Sequence, residues 1–195
     1  RSMAYAGPDG AMSKREYVPK EQIQKYAKLP MDRVEFILGK LNKLGLTHRM
    51  QGAYIGHTLN YVGYDCLAIN TLVKAGVIGS FGQTIGVGKE AEVYNALSPE
   101  GKCIAVKFHR LGRISFRQTR RKRSYVREHS TWLFQSHLAA EKEFQALQLV
   151  YKNGVSVPEP ISQNRHVIAM GRIEGGELSK WRKITNPKKV FKEIM

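Results

Sequence analysis

Apolar residues recur along this chain with two different periods, and the switches between them mark out its elements. Gln22 to Ala27 reads as a short helix whose first turn can hold Pro19, a position that needs no backbone N–H. Leu29-Pro30 ends it. Val34, Ile37, Leu38, Leu41 and Leu44 then fall at helical spacing and predict a second helix from Met31 to Leu44, with Gly45 at its exit. Leu46 to Arg49 and Ala53 to Leu59 read instead as two strands around Met50-Gln51-Gly52, and Tyr64 to Lys74 returns to helix through Leu67, Ala68, Leu72 and Val73. Short helix, break, longer helix and two-stranded ribbon is the order of a winged helix, in which the second helix reads a groove and the hairpin is a wing. Arg33, Lys40, Lys43 and Arg49 are its outward cations.

A glycine-rich stretch from Gly76 to Gly82 reads as a hinge between domains, and strand patterning follows it. Glu92 to Leu97 alternates, Ser98-Pro99-Glu100-Gly101 supplies a turn, and a further strand puts Ile104, Val106 and Phe108 on one face and Cys103, Ala105 and Lys107 on the other. Leu133, Phe134, Leu138, Phe144, Leu147 and Val150 predict a long helix over Thr131 to Val150. Val157-Pro158-Glu159-Pro160 begins another strand, Asn164-Arg165 turns, and His166 to Met170 is an apolar strand running into Gly171-Arg172-Ile173-Glu174-Gly175-Gly176.

Chemistry enters at Gly86-Val87-Gly88, just before the first of these strands. A Walker loop fails twice here, since Gln83 stands where its first glycine belongs and Glu90 where its hydroxyl does. A dinucleotide fingerprint could use Gly86, Gly88 and Ala91, but it must open a helix, and the residues that follow alternate like a strand. A glycine hairpin followed by a strand ending Ala105-Val106-Lys107 is how a kinase-type nucleotide site begins. The glycines bring backbone N–H groups close to phosphates, and the strand lysine adds a fixed positive charge. Glu141 and Glu143 on the long helix are the candidates to orient Lys107, and the stretch after Met170 reads as the segment that pairs with adenine.

The formal charge of +16 changes the picture, because a chain this basic repels itself unless it meets a polyanion, of which nucleic acid is the commonest. No acid occurs between Lys107 and Arg127, while Arg110, Arg113, Arg117, Arg120, Arg121, Lys122, Arg123 and Arg127 do, interleaved with Phe116 and Tyr125. That stretch reads as a long flexible basic loop (110–130) able to grip a phosphate backbone, with Ser115, Thr119 and Ser124 open to phosphorylation. Arg113, Arg117, Arg120, Arg121, Lys122 and Arg123 are its candidate nucleic-acid contacts. No apolar run approaches the roughly 20 residues that cross a bilayer, so no membrane partner is expected. Cys66 and Cys103 lie in apolar-periodic segments and read as buried thiols of an intracellular protein.

Taken together, Ile85 to Tyr94 (IGVGKEAEVY), Val106 to Phe116 (VKFHRLGRISF), Leu138 to Phe144 (LAAEKEF), Val157 to Ile161 (VPEPI), Asn164 to Met170 (NRHVIAM) and Gly63 to Ile78 (GYDCLAINTLVKAGVI) resemble the Rio-type atypical protein kinases, in the second subfamily, which carries a winged helix. The likeness covers nearly everything from Tyr17 to Leu178. It implies an α+β fold: a tail over 1–16, a winged-helix domain over 17–79, a kinase-like N-lobe of antiparallel sheet plus one long helix over 80–178, and the start of a linker or C-lobe over 179–195, the C-lobe itself missing. It further implies ATP bound by Gly86, Val87, Gly88, Lys89 and Glu90, with Lys107 on the phosphates, Glu143 pairing it, and adenine contacts at Met170 to Ile173. The family matures the small ribosomal subunit, which implies a pre-ribosomal particle and its rRNA as partners and a cytoplasmic location. Two departures stand out: Ala91 where the family usually has Ser, and Gly171 where it usually has Glu. The aspartates are Asp9, Asp32 and Asp65, all before the glycine hairpin, so neither a catalytic base nor a Mg²⁺-binding aspartate follows Lys107. The expectation is an N-terminal piece that holds ATP without turning it over, Mg²⁺ or Mn²⁺ belonging to the complete enzyme. The rival is a winged-helix nucleic-acid-binding regulator without catalysis.

Overall fold

The computed structural model describes residues 17–112, 131–176, 180 and 183–194; the expected tail and most of the basic stretch, including Arg113, Arg117, Arg120, Arg121, Lys122 and Arg123, lie outside them. A three-stranded antiparallel sheet is formed by β1 (Val18–Pro19), β2 (Thr47–Gln51) and β3 (Ile55–Leu59) in the order β1-β3-β2. Against it lie α1 (Lys20–Ala27), α2 (Met31–Lys43) and α3 (Tyr61–Lys74). A five-stranded antiparallel sheet follows, β4 (Ser80–Val87), β5 (Ala91–Leu97), β6 (Cys103–His109), β7 (Pro160–Asn164) and β8 (Val167–Gly171) in the order β4-β5-β6-β8-β7. The 21-residue helix α4 (Trp132–Lys152) lies between β6 and β7 in sequence, and α5 (Pro187–Ile194) comes last. The fold is α+β, as the patterning requires. No described helix is long and apolar enough to cross a membrane.

Local chemistry sets the boundaries. Pro19 and Pro30 stand at the N-caps of α1 and α2, and Gly45 leaves α2 at φ +67°, a conformation glycine adopts without strain. Helix α3 begins three residues before the apolar pattern does, because the Asn60 side chain accepts a hydrogen bond from Gly63 N–H at 2.9 Å and satisfies an otherwise orphaned donor. Thr131 caps α4 in the same way, through Phe134 N–H at 3.3 Å. The stretch 76–82 is not a free hinge. Val77 N–H reaches Leu72 C=O, Gly79 N–H reaches Leu97 C=O, Ile78 is buried, and Ser80 already belongs to β4.

Two apolar cores result, and α3 joins them. Tyr64 packs with Val18, Ile23, Val34, Leu38, Leu59 and, from α4, Leu133. One turn on, Ala68 and Leu72 pack with Ile78, Ala96, Ile104, Val106, Phe108 and Val167 of the large sheet. The face of β6 expected to be apolar is therefore covered by a helix of the winged-helix half, which leaves the Lys107 face to α4. The buried side of α4 is made of Leu133, Gln135, Ser136, Ala139 and Ala140, small and polar residues more than the large apolar ones the periodicity singles out. Both cysteines are exposed, contrary to expectation: Cys103 opens β6, and Cys66 lies on the outer side of α3, whose inner side is set by Tyr64, Ala68 and Leu72.

Candidate nucleotide site

Gly86 and Val87 end β4, Ala91 starts β5, and Gly88 to Glu90 turn between them, so the glycine bend is a hairpin and caps no helix. Gly88 N–H closes it on Ala91 C=O at 2.8 Å, and residues 81–90 are exposed throughout. A Cβ on Gly86 would meet nothing within 4 Å, and one on Gly88 only Ala91 C=O at 3.5 Å. Packing within the protein does not demand glycine at either position. What the missing side chains provide is open space over the backbone, the condition for close approach by a phosphate.

Register places the lysine under this bend. Gly86 pairs with Val93, Val93 with Lys107, and Lys107 with Ile168, a row running straight across β4, β5, β6 and β8. At strand spacing, Gly86 and Lys107 are about 10 Å apart. Lys107 Nζ lies 2.6 and 2.8 Å from the two carboxylate oxygens of Glu143 on α4. Glu141, about 200° away around the helix, is not the partner. A second donor, His109 Nε2, lies 2.9 Å from Glu143 Oε2. The His109 hydrogen bond most of all, with Lys107 behind it and against the cost of burial, holds the Glu143 carboxyl down to about 2.

Beneath the hairpin, Arg110 corrects its expected place in the flexible basic loop. Its side chain is buried, forked onto Asp65 of α3 at 2.6 and 2.8 Å, with Nε 3.1 Å from Glu92 Oε2. The guanidinium also lies 5.2 Å from the ring centres of both Tyr61 and Phe108. Charge density along a sequence does not reveal that acids 45 and 18 residues upstream compensate this one cation. Burial pushes the Asp65 carboxyl up, but hydrogen bonds from His166 and Arg110 outweigh it and leave Asp65 below its ordinary value. His166 Nε2 donates to Asp65 Oδ1 at 2.7 Å while burial drives that ring below its ordinary value. Tyr61 hydroxyl bonds to Leu111 C=O and to Ser136 Oγ, so α3, the end of β6 and α4 meet in one polar knot.

The other expected site residues fall around this pair. Val87 and Lys89 are exposed on the hairpin, and Glu90 gives its backbone C=O to Arg110 N–H at 2.7 Å. Met170 pairs with Ala105 near the end of β8, half-buried, and Ile173 is 63% exposed beyond it. Gly171, a departure from the resembled pattern, has a packing reason: a Cβ there would sit 3.2 Å from Glu159 Cβ, and its N–H bonds to Glu159 C=O. Arg33, Lys40, Lys43 and Arg49 are exposed as expected. Sequence reasoning missed His109, Asp65, Arg110 and His166. Strand alternation carried a signal for His109, two positions after Lys107 and so on its face; nothing local pointed to the other three.

The arrangement leaves open backbone at the hairpin and sets Lys107, held by Glu143, on the same row of the sheet. It does not assemble a metal site: among the described residues no group of three His, Cys, Asp or Glu could hold a metal ion, and Glu143 and Glu92 are engaged by cations.

The chain is similar to known proteins over most of its length. A family model described as "RIO domain" matches residues 92–195, and one described as "Rio2, N-terminal" matches residues 9–75. The chain is 41% identical over 171 residues to the RIO-type serine/threonine-protein kinase Rio2 of Methanocaldococcus jannaschii, covering 87% of itself and 62% of that protein. It is 38% identical over 162 residues to the serine/threonine-protein kinase RIO2 of Saccharomyces cerevisiae, covering 81% of itself and 38% of that protein. Among solved structures, the Rio2 kinase of Chaetomium thermophilum in its ADP/Mg²⁺-phosphoaspartate complex matches with a TM-score of 0.80 at 37% identity, over 94% of this chain and 55% of that one. The chain thus spans between about a third and two thirds of the length of these relatives.

Proposed function

This chain belongs to the RIO family of kinases, with the N-terminal domain of the Rio2 branch, and from that premise we propose that it is the ATP-binding portion of a serine/threonine kinase or ATPase acting in small ribosomal subunit maturation. The observation that carries the reading is the Lys107–Glu143 ion pair aligned beneath an open glycine hairpin. Gly86, Val87, Gly88, Lys89 and Glu90 cover the phosphates, Lys107 neutralises them, and the backbone from Met170 to Ile173 meets the adenine. The ADP of the solved relative is consistent with ATP as the ligand here. Among the described residues no cluster of acids fits Mg²⁺; in an enzyme of the relatives' length its ligands belong to the remaining residues. All aspartates precede Gly86 in the sequence, so the chain holds ATP and does not hydrolyse it. The charge of +16 supports a polyanion as partner, which in this reading is the rRNA of a small-subunit precursor; the cytoplasmic location follows from the proposed role alone.

Calorimetric titration with ATP, paired with a phosphate-release assay, tests this. Saturable binding that exceeds the affinity for adenosine, with no phosphate released, is the expected result. Turnover by this chain, or equal affinity for ATP and adenosine, would sink the reading.

One observation favours a nucleic-acid role for the winged-helix half as well. On α2, Phe36 is exposed, with Arg33 5.5 Å and Lys40 4.5 Å from its ring centre. An exposed aromatic flanked by cations suits stacking on a base. Duplex or RNA binding that survives Lys107→Met but is lost in Phe36→Ala would support that second role.

A further inference from the structure

We propose that His109 is a positioning residue of the nucleotide site: its ring carries a proton on Nε2 and holds the Glu143 carboxylate in place while Lys107 engages phosphate. The purpose rests on the nucleotide reading above; the contact rests on geometry alone.

Lys107 and His109 lie two apart on β6 and so face the same side of the sheet. Both meet one carboxylate, Lys107 through Oε1 and Oε2 and His109 through Oε2 at 2.9 Å. An ionised carboxylate only accepts, so a contact of this length requires the ring to donate. The strand backbone and burial fix the ring on its other side. Its Nδ1 is 3.2 Å from the carbonyl of His166, and that carbonyl also takes the His109 backbone N–H at 2.9 Å. At 5% exposure the imidazole has no room to turn. The Glu143 side chain is 40% exposed, and a lysine on a flexible four-carbon stem could not fix it alone.

The second donor matters because phosphate and carboxylate compete for one ammonium. As Nζ turns toward a phosphate, it gives up part of its bidentate contact with Glu143. His109, 5% exposed and with Nε2 already on Oε2, keeps that oxygen, leaving Oε1 to Lys107. The carboxylate then stays put whether or not phosphate is bound, and the swing of the lysine stays short. The footing of the strut reaches further, since the His166 side chain is held by Asp65 of α3 at 2.7 Å.

His109→Gln and His109→Leu in the whole chain test the proposal. Glutamine can place an amide N–H near the Nε2 position; leucine fills the volume and donates nothing. The readouts are affinities for ATP and for adenosine, and the ring ¹⁵N signals of wild-type His109 at neutral pH. The expected results are a proton on Nε2, ATP affinity down about tenfold in H109L with adenosine affinity unchanged, and ATP affinity within about twofold of wild type in H109Q. A bare Nε2, an H109L variant with full preference for ATP, or equal losses toward both ligands in both variants would overturn it. A wild-type chain that binds neither ligand would contradict the nucleotide reading, while the ring signal would still decide whether His109 donates to Glu143.

Discussion

Neutralising Asp65 measures how firmly the winged-helix half is fastened to the large sheet. Both Asp65 oxygens accept from Arg110, at 2.6 and 2.8 Å, and Oδ1 also accepts from His166. Asp65→Asn keeps the shape but replaces one acceptor with an NH₂ that faces a guanidinium N–H in either orientation, and the imidazole N–H as well in one of them. Arg110, its side chain 8% exposed, is left with Glu92 as its counter-ion among the described residues. Removing one partner of a buried ion pair costs about 3–5 kcal/mol. The remaining Glu92 contact and the 18% exposure of Asp65 put this case at the lower end, about 3 kcal/mol. Urea unfolding followed by tryptophan fluorescence reads this as a lower midpoint at unchanged slope. The double variant with Arg110→Met should lose less than the sum of the single losses, with a coupling of about 1–3 kcal/mol. Because Asp65 sits below its ordinary value in the fold, its contribution is present above the normal carboxylate range and lost as pH falls through the folded value. The gap between wild type and Asp65→Asn should therefore close in acid. A loss under about 1 kcal/mol at pH 7, or strict additivity with Arg110→Met, would refute the reasoning.

Two glycines on helices should respond in opposite directions. Gly63→Ala puts a Cβ 2.2 Å from Leu46 C=O, and the forced separation of α3 from the chain leading into β2 should cost at least 1–3 kcal/mol by denaturant unfolding, roughly the price of overpacking. Gly39→Ala on α2 meets nothing within 4 Å and should stabilise by about 1 kcal/mol on helix propensity alone. Glu143→Gln should lower the melting temperature at neutral pH. The difference should fade as pH falls from 4.5 toward about 2, since a depressed carboxyl stabilises above its ordinary value and stops doing so below its folded one.

Periodicity revealed elements wherever one face is uniformly apolar, as in α2 and β6. It was least informative in α4, whose buried side depends on close approach by Ser136, Ala139 and Ala140 more than on large side chains. The Lys107 strand and the glycine hairpin were legible because their chemistry is local: a strand, a turn and a cation within about one hairpin. Glu143 was one of two glutamates open to the role until α4 was placed on the sheet. Arg110 is not legible as a buried residue because its partners, Asp65 and Glu92, come from other elements, and only the packing of α3 across β6 brings them together. The cysteines went wrong for a related reason, since an apolar neighbourhood along the chain does not say which side of a helix or which end of a strand is covered.

The most direct test is a ¹H–¹⁵N spectrum of the chain titrated with ATP. The expected result is a set of saturable shifts at Gly86 to Glu90, Lys107 and Met170 to Ile173, absent when Lys107 is replaced by Met. Shifts confined to α2 and the β2–β3 hairpin, or a pattern that Lys107→Met leaves intact, would show that this lysine and its glycine bend do not form a nucleotide site.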